Sequence, residues 1–141
     1  MANFGVSIED IYFLFVRSHL EQLATVWHSS LTEENSFDLE RVQKSTVKII
    51  LGSNYIGYEK SLAKLGIEKL SDRREQLCLN FAKKCVQNPK TTHMFPYNIK
   101  KHHMETRIPE KFKVYHAQTE RFRKSSIIYM QNLLNQDENN K

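Results

Sequence analysis

The first half of the chain is written in helical spacing. Between Val6 and Leu51 there is neither glycine nor proline, so nothing there forbids helix on backbone grounds. Ser7-Ile8-Glu9-Asp10 has the form of a capping box with Asp10 at N3. It predicts a helix from about Ile8 to His28, with Ile8, Tyr12, Phe15, His19 and Val26 on one face. Within it, Tyr12 to Val16 is apolar on every side, and such a segment needs cover on every side.

After a short polar connection, Leu31 to Asn35, a second helix is predicted to run to Leu51. Thr32 or Ser36 can cap it, Asp38 and Glu40 sit in its early turns, and Gly52 suits the C′ position. At ~100° per residue, Leu39, Val42, Thr46, Ile49 and Ile50 share a core face, with Arg41, Lys44 and Lys48 on the opposite side. That i, i+3, i+7 row has two readings: a solvated helix face, or a surface that contacts phosphates.

Ser53 to Gly57 reads as a turn. Tyr58 to Leu65 reads as a short helix closed by Gly66. Ser71 can cap a further helix to about Asn88, where Pro89 ends it. Leu77, Cys78, Phe81, Ala82 and Cys85 form its buried stripe, while Arg73, Gln76, Asn80, Lys83, Lys84 and Gln87 face out. The period is lost from Lys90 to Glu110. Phe112 to His116 alternates weakly, as an extended piece would. Ser125 or Ser126 can open a last short helix carrying Ile127, Ile128, Met130, Leu133 and Leu134. The pattern predicts a mainly α fold, a small bundle of about four to five helices with an extended, loop-rich C-terminal third. The expected division is a helical domain over 5–88, an extended segment and terminal helix over 89–135 packed on it, and a frayed tail over 136–141.

Composition adds a partner class and removes several others. A chain of 141 residues with 40% hydrophobic content can bury one ordinary core. The net charge of +5 suits an anionic partner. Cys78 and Cys85 on one helix would be ~10.5 Å apart, beyond the ~7 Å a disulfide spans, so both are expected as free buried thiols. The apolar run Ile11 to Val16 falls far short of the ~20 residues of a membrane span. A soluble intracellular protein without a membrane partner is the expectation.

Candidate reaction centres are few. His93, His102, His103 and His116 match no zinc spacing and no CxxC is present, so no metal is expected. His28 is better placed to close a helix end. Cys85 lies in a helical stripe between lysines in sequence, which is weak ground for a nucleophilic pair. Phosphate-loop, dinucleotide and nucleophile-elbow motifs are absent. The four aspartates, Asp10, Asp38, Asp72 and Asp137, are scattered, whereas a two-metal centre needs converging carboxylates. The residues describe a basic, α-rich binding or structural domain with no cofactor and no small-molecule substrate, rather than a cysteine or metal hydrolase.

Several strings together resemble a known family. They are Val16-Arg17-Ser18 with Leu20-Glu21, Val26-Trp27-His28-Ser29-Ser30-Leu31-Thr32, Leu39-Glu40-Arg41-Val42-Gln43-Lys44, and Lys48-Ile49-Ile50-Leu51-Gly52 with Tyr55 and Tyr58. Further on come Leu70, Arg73-Arg74, Leu77-Cys78, Phe81-Ala82-Lys83-Lys84, Phe95-Pro96, Thr119-Glu120-Arg121 and Ser125 through Asn135. From Val6 to Asn135 the chain resembles the C-terminal, thumb or post-thumb part of the reverse transcriptase of non-LTR (LINE-type) retrotransposons. Gln22, Thr25 and Ile128 depart from the family's pattern. The resemblance implies a thumb-like helical domain that holds RNA or an RNA–DNA duplex by its phosphates. The catalytic aspartates of the family lie in a Tyr/Phe-x-Asp-Asp motif of the palm, which this sequence lacks, so no polymerase activity is expected of the chain alone. Arg41, Lys44, Lys48, Arg73, Lys83 and Lys84 are the expected nucleic-acid contacts. Tyr12, Phe13, Leu14 and Val16 are the expected docking residues, against a palm domain or another partner; a purely structural interaction module docking through 8–28 is the alternative.

Overall fold

The computed structural model describes residues 7–98 and 111–140. They are mainly helical, as the pattern predicts. In chain order the helices are α1 (Ile8–Ile11), α2 (Ser18–Glu21), α3 (Ala24–Trp27), α4 (Glu33–Leu51), α5 (Tyr58–Leu65), α6 (Leu70–Gln87), α7 (Glu120–Arg123) and α8 (Ser126–Asn139). Among the described residues there is no strand, only an antiparallel bridge between Tyr97 and Phe112. No helix among them is long and apolar enough to cross a membrane.

The described chain forms two compact units. Unit 1 takes 7–24 and 31–74; unit 2 takes 25–30, 75–98 and 111–140. The division therefore falls inside α6 rather than after Asn88. The cause is the stripe of α6 itself: Leu70 and Arg74 are buried on its first turns in unit 1, while Cys78, Ala82 and Cys85 join the core of unit 2.

Unit 1 opens with the predicted capping box. Ser7 Oγ accepts from the Asp10 amide (3.0 Å), and Asp10 Oδ2 accepts from the Ser7 amide (3.1 Å). The expected single helix to His28 is not formed. α1 passes into a π-helical turn, Tyr12–Arg17, and then into α2. The widened turn seats Tyr12 in the core (1% exposed) with Val16 packed beside it, and presents Phe13, Leu14 and Phe15 to the outside. Ile8, Phe15 and Val26 are exposed, not a core face. Carbonyls loosened by the widening gain side-chain donors: Ser18 Oγ bonds Leu14 O (2.6 Å), and His19 Nδ1 meets Phe15 O (2.8 Å).

The rod then ends at Gln22 and Leu23. Leu23 has φ of +53°, a left-handed conformation that costs an L side chain ~1–2 kcal/mol. Its side chain is mostly exposed, so little packing is lost on removing it. Leu23→Gly should therefore stabilise the protein slightly, by about 0.5–1 kcal/mol once the extra freedom of the unfolded glycine is subtracted. A thermal midpoint raised by a few degrees would show this; a lowered one would mean the Leu23 contacts outweigh the strain.

The remainder of unit 1 is α4, α5 and their links. α4 begins at Glu33, earlier than the polar reading of Leu31–Asn35 allowed, because Thr32 Oγ1 caps the Asn35 amide (3.2 Å). Its buried face is Gln43 and Val47, both 0% exposed, with Leu39, Ile50 and Leu51 partly buried. Val42 and Ile49, expected inside, are exposed. The face turns because Gln43 donates its amide to Glu68 O (2.9 Å), which lets a polar side chain occupy the centre of the interface. Val47 packs with Tyr12, Leu62 and Ile67. α5 matches its predicted span and ends at Gly66 in the left-handed conformation (φ +64°).

Unit 2 is built on α6 and α8. Cys78, Ala82, Cys85, Phe95, Phe112, Met130, Leu133 and Leu134 make its core. Neither cysteine is in a disulfide and both are buried, as expected. Phe81, expected in the stripe, is exposed. The piece around Phe112 is extended, held at its start by Lys113 N–H to Pro96 O (2.8 Å) and Asn98 N–H to Lys111 O (2.9 Å). His28 opens a 3-10 turn after α3 and meets the Tyr129 ring edge-on at 5.5 Å. The tail expected to fray at 136–141 instead continues α8 to Asn139, tied by Lys83 to Asp137 and by Lys111 to Glu138, each at 2.9 Å.

Candidate nucleic-acid interface

The six expected contact residues divide between the units. Arg41, Lys44, Lys48 and Arg73 belong to unit 1; Lys83 and Lys84 belong to unit 2. Arg41, Lys44 and Lys48 are all exposed, and their row lies ~110° around α4 from the buried face centred on Gln43 and Val47. Arg41 shares its charge with Asp38 (3.2 Å) at an exposed site, where an ion pair contributes only a few tenths of a kcal/mol and yields readily to a phosphate. Lys48 Nζ sits 5.5 Å over the Tyr55 ring. Among the described residues Lys44 and Lys48 make no ion pair.

Two of the other three cations are committed elsewhere. Arg73 lies 3.4 Å from Glu21 Oε1, an oxygen that also takes Arg17 at 2.7 Å. Lys83 is held by Asp137. Lys84 is exposed. The α4 row is thus the most available set of cations that one rigid element carries.

Phe37 lies outside the set of predicted contacts. It is 67% exposed, and by helical spacing Phe37, Arg41, Lys44 and Lys48 fall within an arc of ~60°. Phe37 stands four residues before Arg41, the i, i+4 relation that should have signalled it. Beside it is a recess of about 390 Å³, walled by Phe37 and Tyr58, with Glu33, Ser36, Glu40 and Lys69 also lining it. The Tyr58 hydroxyl donates to Glu40 Oε1 at 2.5 Å, and Lys69 Nζ is paired with Glu59 at 2.8 Å.

The expected docking residues also divide. Tyr12 is core, and Val16 packs against that core. Phe13 and Leu14 are exposed, in company with Ile8, Ile11 and Phe15. Arg17 lies 5.4 Å from the Phe13 ring centroid. Among the described residues no three His, Cys, Asp or Glu side chains converge as metal ligands would. His93 and His116 are exposed; His102 and His103 lie outside the described residues.

Three tyrosines hold their protons beyond the usual range. Burial pushes Tyr12 up to about 12, with Glu21 and Glu40 adding to the shift and Arg17 opposing it. Burial, then Glu75 and Cys78, pushes Tyr129 up to about 12. Tyr58 is raised by burial and by its bond to Glu40. Each folded pKa lies above the unfolded value near 10. The folded state therefore binds more protons above pH 10, and this contribution to stability is complete below pH 10 and lost as pH rises toward 12. The urea midpoint should fall across that window, with absorbance near 295 nm rising late. A midpoint flat from pH 10 to 12 would contradict the burial of these phenols.

Comparison with protein-family models, curated proteins and solved structures gives no match for this chain.

Proposed function

We propose that this chain is a noncatalytic nucleic-acid-binding module, the thumb or post-thumb portion of a LINE-type reverse transcriptase, acting inside the cell on RNA or an RNA–DNA duplex. The row of exposed cations on α4 carries the reading. Arg41, Lys44 and Lys48 are held in register by a helix whose adjoining face is pinned by Gln43 and Val47. Contacts of this kind fix position and supply affinity without reading sequence. The strings shared with the family and the net charge of +5 support the same reading.

Replacing Arg41, Lys44 and Lys48 together by Gln leaves the buried face untouched. It should weaken binding to an RNA–DNA duplex and lower the slope of log K against log salt by about 2–3, since each phosphate neutralised contributes ~0.7–0.9. Fluorescence anisotropy over a salt series reads both quantities. Unchanged affinity at low salt would remove the phosphate role.

The exposed apolar row Ile8, Ile11, Phe13, Leu14 and Phe15 favours a second role, docking through the first helical segment. Exposed apolar side chains gathered in one short segment favour an interaction surface, and the resemblance implies a reverse transcriptase palm as its partner. Phe13→Ser with Leu14→Ser should abolish association with a palm fragment in sedimentation velocity, without lowering the thermal midpoint. A wild-type chain that stays monomeric and ignores the palm fragment would discard this role.

A further inference from the structure

The α4 row does more than offer charge, because it is headed by an aromatic ring. Phe37 is two-thirds exposed on a helix, and ~6 Å of rise separate it from Arg41 and ~16.5 Å from Lys48. We propose, resting on the nucleic-acid reading above, that the strand held along α4 is unpaired, with one base stacked on Phe37 in the recess it shares with Tyr58. A single strand presents π-faces that a duplex hides in its own stack, and exposed aromatics beside cations are how proteins hold such strands without sequence choice.

The charges around the recess decide which part of the nucleotide enters it. Glu33 and Glu40 both line it, Glu34 and Asp38 belong to the same early turns of α4, and Lys69, the cation of the recess, is paired with Glu59. A phosphate would meet net negative charge there and is directed to Arg41, Lys44 and Lys48. The base carries no charge, matches the two rings, and can offer exocyclic amino donors to the Glu33 carboxylate, which only accepts. Phosphates and bases are thus sorted along one helix, the first toward its C-terminal half and the second at Phe37.

The test uses the full chain, a fluorescein-labelled rA12 strand and the rA12–dT12 duplex. Three variants are compared: Phe37→Ala, Phe37→Tyr, and Arg41→Gln with Lys44→Gln and Lys48→Gln; circular dichroism establishes that each keeps its helix content. The single strand should bind more tightly than the duplex. Phe37→Ala should cost it about 5- to 150-fold, the range of one stacked base, with duplex affinity unchanged and with recovery in Phe37→Tyr. The triple Gln variant should weaken both ligands. If the triple variant weakens both but Phe37→Ala weakens neither, or weakens both alike, the stacked base is overturned and the phosphate reading stands. If the wild-type chain binds neither ligand at low salt, both fall together.

Discussion

Asn135→Leu should cost unit 2 about 2–5 kcal/mol, because one buried amide satisfies both polar groups of a single backbone residue. Asn135 Oδ1 accepts the Phe112 N–H at 2.8 Å, and Asn135 Nδ2 donates to Phe112 O at 2.9 Å. Asn135 and Phe112 are both buried. One turn earlier Gln131, 0% exposed, does the same for two other residues, taking the Tyr115 N–H (3.2 Å) and giving to Met94 O (2.9 Å). These two side chains on α8 stand in for the neighbouring strand that the extended segment lacks. Leucine keeps the volume but strands an N–H and a C=O, each costing ~1–3 kcal/mol when buried without a partner. Urea unfolding gives the loss, and hydrogen exchange at the Phe112 amide locates it. A change below 1 kcal/mol with Phe112 still protected would mean water replaces the amide without penalty.

The same pair shows where the sequence is legible and where it is not. Elements set by local chemistry follow from the residues. Ser7 and Asp10 announce α1, Tyr58 to Leu65 with Gly66 marks out α5, and Pro89 closes α6, because each signal acts within a few residues. The apolar positions of α8 were readable by spacing, but Gln131 and Asn135 were not, since a polar residue is read as outside unless its distant partner is known. Gln43 misled for the same reason, and its buried amide turned the expected face of α4. The break at Leu23 was hidden too: no glycine, proline or turn former stands there, and the widened turn at Tyr12–Arg17 has no residue signature. Of the candidate interface, the three cations were visible by period alone. Phe37 was passed over because the apolar pattern was read only for a core, although it lies in the cation row.

Arg74 carries the largest expected effect in unit 1. No part of it is exposed, and its guanidinium donates to Ser36 Oγ at 3.4 Å. It continues the stripe of α6 four residues before Cys78, so periodicity places it inside, while its charge argues for outside. A guanidinium is tolerated there because it reaches the Ser36 hydroxyl while its methylene stem packs as an apolar side chain would. Arg74→Ala removes the bonds and the stem together, leaving a cavity and unmatched acceptors, at a cost of about 3–5 kcal/mol. That is a large part of the ~5–15 kcal/mol that holds a domain together. Arg74→Lys keeps the charge but not the planar fork, and should lose about half as much. Arg74→Met supplies an apolar stem of similar reach and tests the charge alone; if the guanidinium matters for its bonds, Met falls between Lys and Ala. Urea midpoints at constant m-value order the three. An Arg74→Ala protein as stable as the wild type would show that neither the bonds of the guanidinium nor its buried stem stabilises unit 1.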